Sequence, residues 1–160
     1  MKREFAEAAQ ADQHEYIAAN LLSLAALTSR LLAKEAAGGV SLSEAGVLRA
    51  LLDGPRRITE LAEVEGLAQP TMTLLVKRLE EQGSVKRERQ RDDERVVLVR
   101  LTAAGRRALE DFRRRLRAVL RTHLEAMPDN QINALATATE ALGELAAALL
   151  GGTPERGASR

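Results

Sequence analysis

A chain of 160 residues has the length of one domain, and its 45% hydrophobic and 29% charged residues describe a globular protein rather than a disordered one. Only 2% of the residues are aromatic, so the core must be aliphatic and there is no platform for stacking single-stranded bases. With no cysteine, disulfides, thiolate metal sites and cysteine redox sensing are excluded.

The net charge of +1 predicts no partner by itself, but its distribution is uneven. Residues 1–55 carry five basic and seven acidic side chains. Residues 84–107 carry eight basic ones (Lys86, Arg87, Arg89, Arg91, Arg95, Arg100, Arg106 and Arg107) against four acidic. A local basic patch is the usual electrostatic footprint of nucleic-acid binding. The opening MKREFAEAAQADQHEY is too charged for a secretory signal. Uninterrupted apolar runs fall short of the ~18–20 residues that span a bilayer. The expectation is a cytoplasmic protein with no membrane partner.

In chain order, a long helix is predicted over residues 10–37, where Ile17, Leu21, Leu24, Thr28 and Leu31 recur at helical spacing and Leu22, Leu27 and Leu32 widen the stripe. Gly38 and Gly39 end it. A second helix begins at Ser41, which with Glu44 forms a capping-box pattern, and stops at Asp53-Gly54-Pro55. Gly46 inside it costs about 1 kcal/mol relative to alanine. A third, short helix covers ITELAEVE and is broken by Gly66. Pro70 opens a fourth, with Met72, Leu75, Val76 and Leu79 as its buried stripe and Gly83 as its cap. A β-hairpin follows over 85–101, its second strand rich in β-branched residues. Thr102 caps a fifth helix bearing Leu109, Phe112, Leu116, Leu120 and Leu124 on one face. Pro128 opens a sixth, with Ile132, Leu135, Thr139, Leu142, Leu145 and Leu149, and residues 151–160 read as a disordered tail.

Two short helices joined by a glycine turn make a helix-turn-helix, and a strand pair directly after the second makes it winged. The second helix of such a unit fits the major groove, where every base pair shows a distinct pattern of donors and acceptors. Opposite the buried stripe stand Thr71, Thr73, Leu74, Lys77 and Arg78, with Gln69 at the helix start. Lysine and arginine neutralise phosphates or reach guanine edges, and threonine does either. Leu74 is the odd member: it touches a thymine methyl or packs beneath the wing. In the hairpin, Arg89, Arg91 and Arg95 suit a narrow minor groove, with Asp93 pairing to a neighbouring arginine at the tip. The acidic run Asp92-Asp93-Glu94 is not read as a metal site, because consecutive carboxylates on a strand tip seldom converge.

The segment from Ile58 to Leu109 resembles the winged-helix core of the MarR (multiple antibiotic resistance regulator) family. It has the opening ITELA at 58–62, the helix end Arg-Leu-Glu-x-x-Gly at 78–83, the Asp-x-Arg wing tip at 93–95 and the closing Leu-Thr-x-x-Gly at 101–105. The resemblance implies a mainly α fold with a small β-hairpin wing: a winged helix-turn-helix at 41–102, flanked by dimerisation helices at 10–37 and 103–150. It implies a homodimeric transcriptional regulator of duplex DNA, a repressor of an inverted-repeat operator. It also implies that a small aromatic ligand, whose site residues are left unassigned, lowers DNA affinity. By position Thr71, Thr73, Lys77 and Arg78 lie on the recognition helix and Asp93 and Arg95 at the wing. Four positions depart from the family pattern: Ala68 replaces a capping serine, Leu74 an arginine on the DNA face, Gly46 a bulky aromatic, and Ser84 an apolar residue.

A lone winged helix needs about half this length, so the apolar stripes at 17–32 and 109–149 pack on each other or on a second chain. RRRLR at 113–117 reads as a solvated helix face, and His14, His123, Phe5 and Tyr16 as ordinary packing or surface groups. No nucleophile, base and orienter can be assembled and no cofactor is called for, so the chain is not read as an enzyme. The competing reading is a helical interaction module whose winged helix docks another protein.

Overall fold

The computed structural model describes residues 2–36, 38–89 and 96–151, with side chains from residue 12 onward. The expected tail at 151–160 falls almost wholly outside them. The element order is α1 (Lys2–Glu35), α2 (Leu42–Ala50), α3 (Ile58–Val64), α4 (Gln69–Glu81), β1 (Val85–Arg89), β2 (Val97–Leu101), α5 (Ala103–Glu125) and α6 (Asp129–Leu150). By contacts the chain divides into two units, Met1–Val119 and Leu120–Arg160, and the division falls within α5. The mainly helical architecture with one antiparallel hairpin is the winged helix expected from the sequence.

The first unit is organised around an aliphatic core. Val47, Leu48, Leu61, Met72, Val76, Leu79 and Val99 are fully buried, and Val85, Leu109 and Phe112 nearly so. Each element contributes at its own period: i, i+4 and i+7 on α4, and alternate residues on the strands. The hairpin registers Val85 against Leu101, Arg87 against Val99 and Arg89 against Val97. Arg56 extends this sheet by one residue, exchanging backbone bonds of 3.1 and 2.8 Å with Val99.

Helix ends are fixed locally. At α2, Ser41 Oγ accepts from the Glu44 amide at 3.3 Å while the Glu44 carboxylate accepts from the Ser41 amide at 2.7 Å, the reciprocal box expected from the sequence. Glu60 accepts from the Arg57 amide at 2.9 Å before α3. Both helices of the helix-turn-helix end in the same paired closure. Gly66 (φ 62°) donates to Glu63 and Leu67 to Ala62; Gly83 (φ 70°) donates to Glu80 and Ser84 to Leu79.

Three expectations change. Helix α1 starts at Lys2, well before residue 10, because its opening residues are mostly alanines and glutamates, which favour helix without any apolar stripe. Its large apolar residues are uncovered: Ile17, Leu22, Leu24, Leu27 and Leu31 are all exposed. Taken with the intervening alanines, the segment Asp12–Glu35 is long and apolar enough to cross a membrane by length and composition, contrary to the count of uninterrupted runs. The third change concerns RRRLR, which is not a uniformly solvated face. Arg115, three residues after the buried Phe112, donates to the Gly38 carbonyl at 2.7 Å, and its Nε is buried.

In the second unit, α6 buries none of its residues. Leu135, Leu142, Leu145, Leu149 and Leu150 are exposed along it.

Candidate nucleic-acid interface

The orientation of α4 follows from its sequence. Met72, Val76 and Leu79 are buried against the core, and this fixes the opposite face outward. Gln69, Thr71, Thr73, Leu74, Lys77 and Arg78 are all exposed. The structure thus brings together the six residues assigned to this helix. Leu74 is 65% exposed, so it does not pack beneath the described part of the wing; of its two readings the outward one remains. Ala68 stands at the N-cap and makes no side-chain cap bond, as its residue type dictates.

Close packing sets the hairpin against α4 and α5. Glu80, from the Arg-Leu-Glu-x-x-Gly segment, accepts from the Arg87 amide at 3.3 Å and pairs with its guanidinium at 3.4 Å. Thr102 shares its hydroxyl proton between the carbonyls of Gly83 (2.7 Å) and Ser84 (3.0 Å), and its oxygen caps α5 by accepting from the Gly105 amide at 3.0 Å. Gly105 is packed so tightly that a Cβ would collide with the Ser84 carbonyl and lie 2.8 Å from Leu101 Cδ1. The closing Leu-Thr-x-x-Gly signature is therefore a single joint: leucine in the ladder, threonine as cap, glycine where the helix meets the turn. Ser84 is buried in this joint.

Much of the basic charge is already engaged. Glu88 binds Lys86 and, at 2.7 Å, Arg100; Lys86 first and Arg100 second hold its carboxyl below the ordinary carboxylate range. Lys77 lies 3.9 Å from Glu81. Among the described residues Arg78, Arg89, Arg106 and Arg107 have no ion-pair partner, which leaves positive charge at the outer face of α4, the end of β1 and the start of α5, as Arg57, Arg113 and Arg117 do elsewhere on the surface. Arg91, Asp93 and Arg95 lie outside the described residues. The acidic partners Glu80 and Glu88 were not singled out from the sequence. The alternation of a strand, which puts Lys86 and Glu88 on one face, was the available signal.

A second feature lies behind the helix-turn-helix. Leu42, Ala45, Gly46 and Arg49 of α2, Glu65 at the end of α3, and Leu109, Phe112 and Arg113 of α5 line an open cavity of about 270 Å³. Glu65 reaches Arg49 at 3.5 Å and lies over Gly46, where any Cβ would strike its carboxylate. The glycine found where the family pattern has a bulky residue leaves a notch that this acid occupies.

The comparisons agree with this geometry. The family model described as transcriptional regulator SarA/Rot matches residues 35–112, which runs from the end of α1 to Phe112. No curated protein sequence matches the chain. Among solved structures, apo MarR from Escherichia coli is similar with a TM-score of 0.65 and 19% identity, over 78% of this chain and 95% of that one. The transcriptional regulator BldR from Sulfolobus solfataricus is 27% identical with a TM-score of 0.55, over 78% and 93%. BpsR from Bordetella bronchiseptica is 19% identical with a TM-score of 0.57, over 79% and 98%. The matched segment and the fold mark the chain as a winged-helix transcriptional regulator similar to the MarR and SarA proteins, which implies DNA binding.

Proposed function

We propose that the chain is a cytoplasmic homodimeric repressor that binds an inverted-repeat operator in duplex DNA and is released by a small aromatic ligand. The observation that carries this reading is the outer face of α4: Thr71, Thr73, Leu74, Lys77 and Arg78 are exposed together, with Gln69 exposed at the helix start, on a helix whose other face is locked into the core. In the proposed complex this face enters the major groove. Arg89, with Arg91, Asp93 and Arg95 beyond it, takes the adjoining minor groove.

The dimer reading rests on α1 and α6, whose exposed leucines have no cover within their own units. Burying one such side chain contributes roughly 1.5–3 kcal/mol, and a two-fold pair presents two recognition helices about one DNA turn, ~10 bp, apart. The ligand reading rests on the cavity beside Glu65. Its size suits a single-ring compound, Phe112 offers an aromatic wall, and Arg49 and Arg113 offer charge. BpsR, whose DNA binding is regulated by 6-hydroxynicotinic acid, is a relative in fold. Glu65 directly precedes the Gly66 turn, so a ligand that displaces its carboxylate acts on the segment that aims α4.

Capture of genomic duplex fragments by the full chain, followed by sequencing, tests the proposal. The expected product is an inverted repeat with half-sites ~10 bp apart. Failure to enrich any duplex, or enrichment of single half-sites by a monomer, contradicts it.

A further inference from the structure

The ridge of α4 farthest from the core is apolar in its N-terminal half, where a base-reading helix is ordinarily polar. At 100° per residue, Pro70, Leu74, Lys77 and Glu81 lie opposite the stripe formed by Met72, Val76 and Leu79. Pro70 and Leu74 stand one turn apart in the N-terminal half of the helix, the half that reaches base edges in helix-turn-helix proteins. Both are exposed, Leu74 by 65%. The polar residues beside them are partly engaged: the Thr73 hydroxyl donates to the Gln69 carbonyl at 2.9 Å, and Lys77 faces Glu81. The point of deepest insertion therefore brings no hydrogen-bonding group of its own. The floor of the major groove has one apolar feature, the C5-methyl of thymine, and polar edges elsewhere. An isobutyl group set against a cytosine amine or a guanine carbonyl leaves that group dehydrated and unpaired.

We infer that Leu74 is a specificity-determining residue that selects an A·T pair in each half-site by contact with the thymine C5-methyl, with Pro70 closing the other side of the contact. This rests on the proposed insertion of α4 into the major groove and adds the base that it reads there.

The test begins with duplexes selected from a random pool by the full-length chain, in which each thymine of the selected site is then replaced by deoxyuridine. This removes the methyl and leaves Watson–Crick pairing intact. One replacement in each of the two half-sites is expected to weaken binding about 15-fold, roughly fourfold for each buried methyl group removed. Leu74→Ala is expected to bind the thymine and deoxyuridine duplexes equally, with an unchanged thermal unfolding midpoint because the side chain is exposed. Two results overturn the inference while leaving the DNA-binding surface standing: the parent binds salt-sensitively yet ignores every methyl removal, or Leu74→Ala keeps the full discrimination. If no duplex is selected at all, the insertion of α4 and the role of Leu74 fall together.

Discussion

The winged-helix core and the terminal helices are built from the same aliphatic residues and use them in opposite ways. In the core, leucines and valines from α2, α3, α4, the hairpin and α5 meet one another, and the largest of them are fully buried. In α6 no residue is buried, and along α1 Leu22, Leu24, Leu27 and Leu31 are exposed. A helix gains most of its stability from tertiary packing of its apolar side. The contrast teaches that the core specifies its own fold, whereas the apolar surface of α1 and α6 is left uncovered within its own units, and we propose that a second copy covers it.

The largest effect should come from breaking the joint on the core side. Gly105→Val forces side-chain atoms into the Ser84 carbonyl, a backbone atom that cannot swing aside. It should cost more than about 3 kcal/mol, read as loss of cooperative unfolding in urea. A near-parental midpoint would show that α5 can shift from the turn and that the joint is not rigid. On the other side of the comparison, Leu27→Asp puts a charge on the exposed surface of α1. It should weaken self-association roughly 100-fold, as expected for a buried unpaired charge, while circular dichroism keeps its helical signal. Light scattering after size-exclusion chromatography checks this, and an unchanged mass would remove α1 from the interface.

A smaller effect is expected at Thr102. Replacement by alanine deletes the cap of α5 together with the bond to the Gly83–Ser84 turn, for a loss of about 1–2 kcal/mol in unfolding free energy. Smallest of all is the pH response of Glu88. Its folded pKa is lowered by Lys86 and Arg100, so its contribution is present above the unfolded carboxylate value and is lost as pH falls through the folded value. The group is solvent-exposed, so stability should change little. The resolvable outcome is a carboxyl NMR titration midpoint below the ordinary range, which returns toward it in Lys86→Ala. A midpoint unmoved by that substitution would assign the cause elsewhere.

The parts of this molecule that were legible in the sequence are those governed by neighbours in the chain. Ser41 with Glu44, Gly66, Gly83 and the Thr102 cap on Gly105 each act within a few residues, and the stripe of Met72, Val76 and Leu79 tells which way α4 faces. The features that escaped depend on distant segments meeting. Nothing near Gly46 announces that Glu65 will lie over it, nor anything near Arg115 that it will hold Gly38. The early start of α1 escapes a search for stripes because alanine and glutamate favour helix without an apolar face.

The central claim is that the outer face of α4 grips duplex DNA, and a salt titration of a selected duplex against the parent chain and Arg78→Ala tests it most directly. The parent should lose three to five decades of affinity between roughly 50 and 200 mM salt, as ~6–10 neutralised phosphates require. Arg78→Ala should bind more weakly, with a slope shallower by about one. Binding that ignores salt, or an Arg78→Ala curve that overlays the parent, would contradict the account.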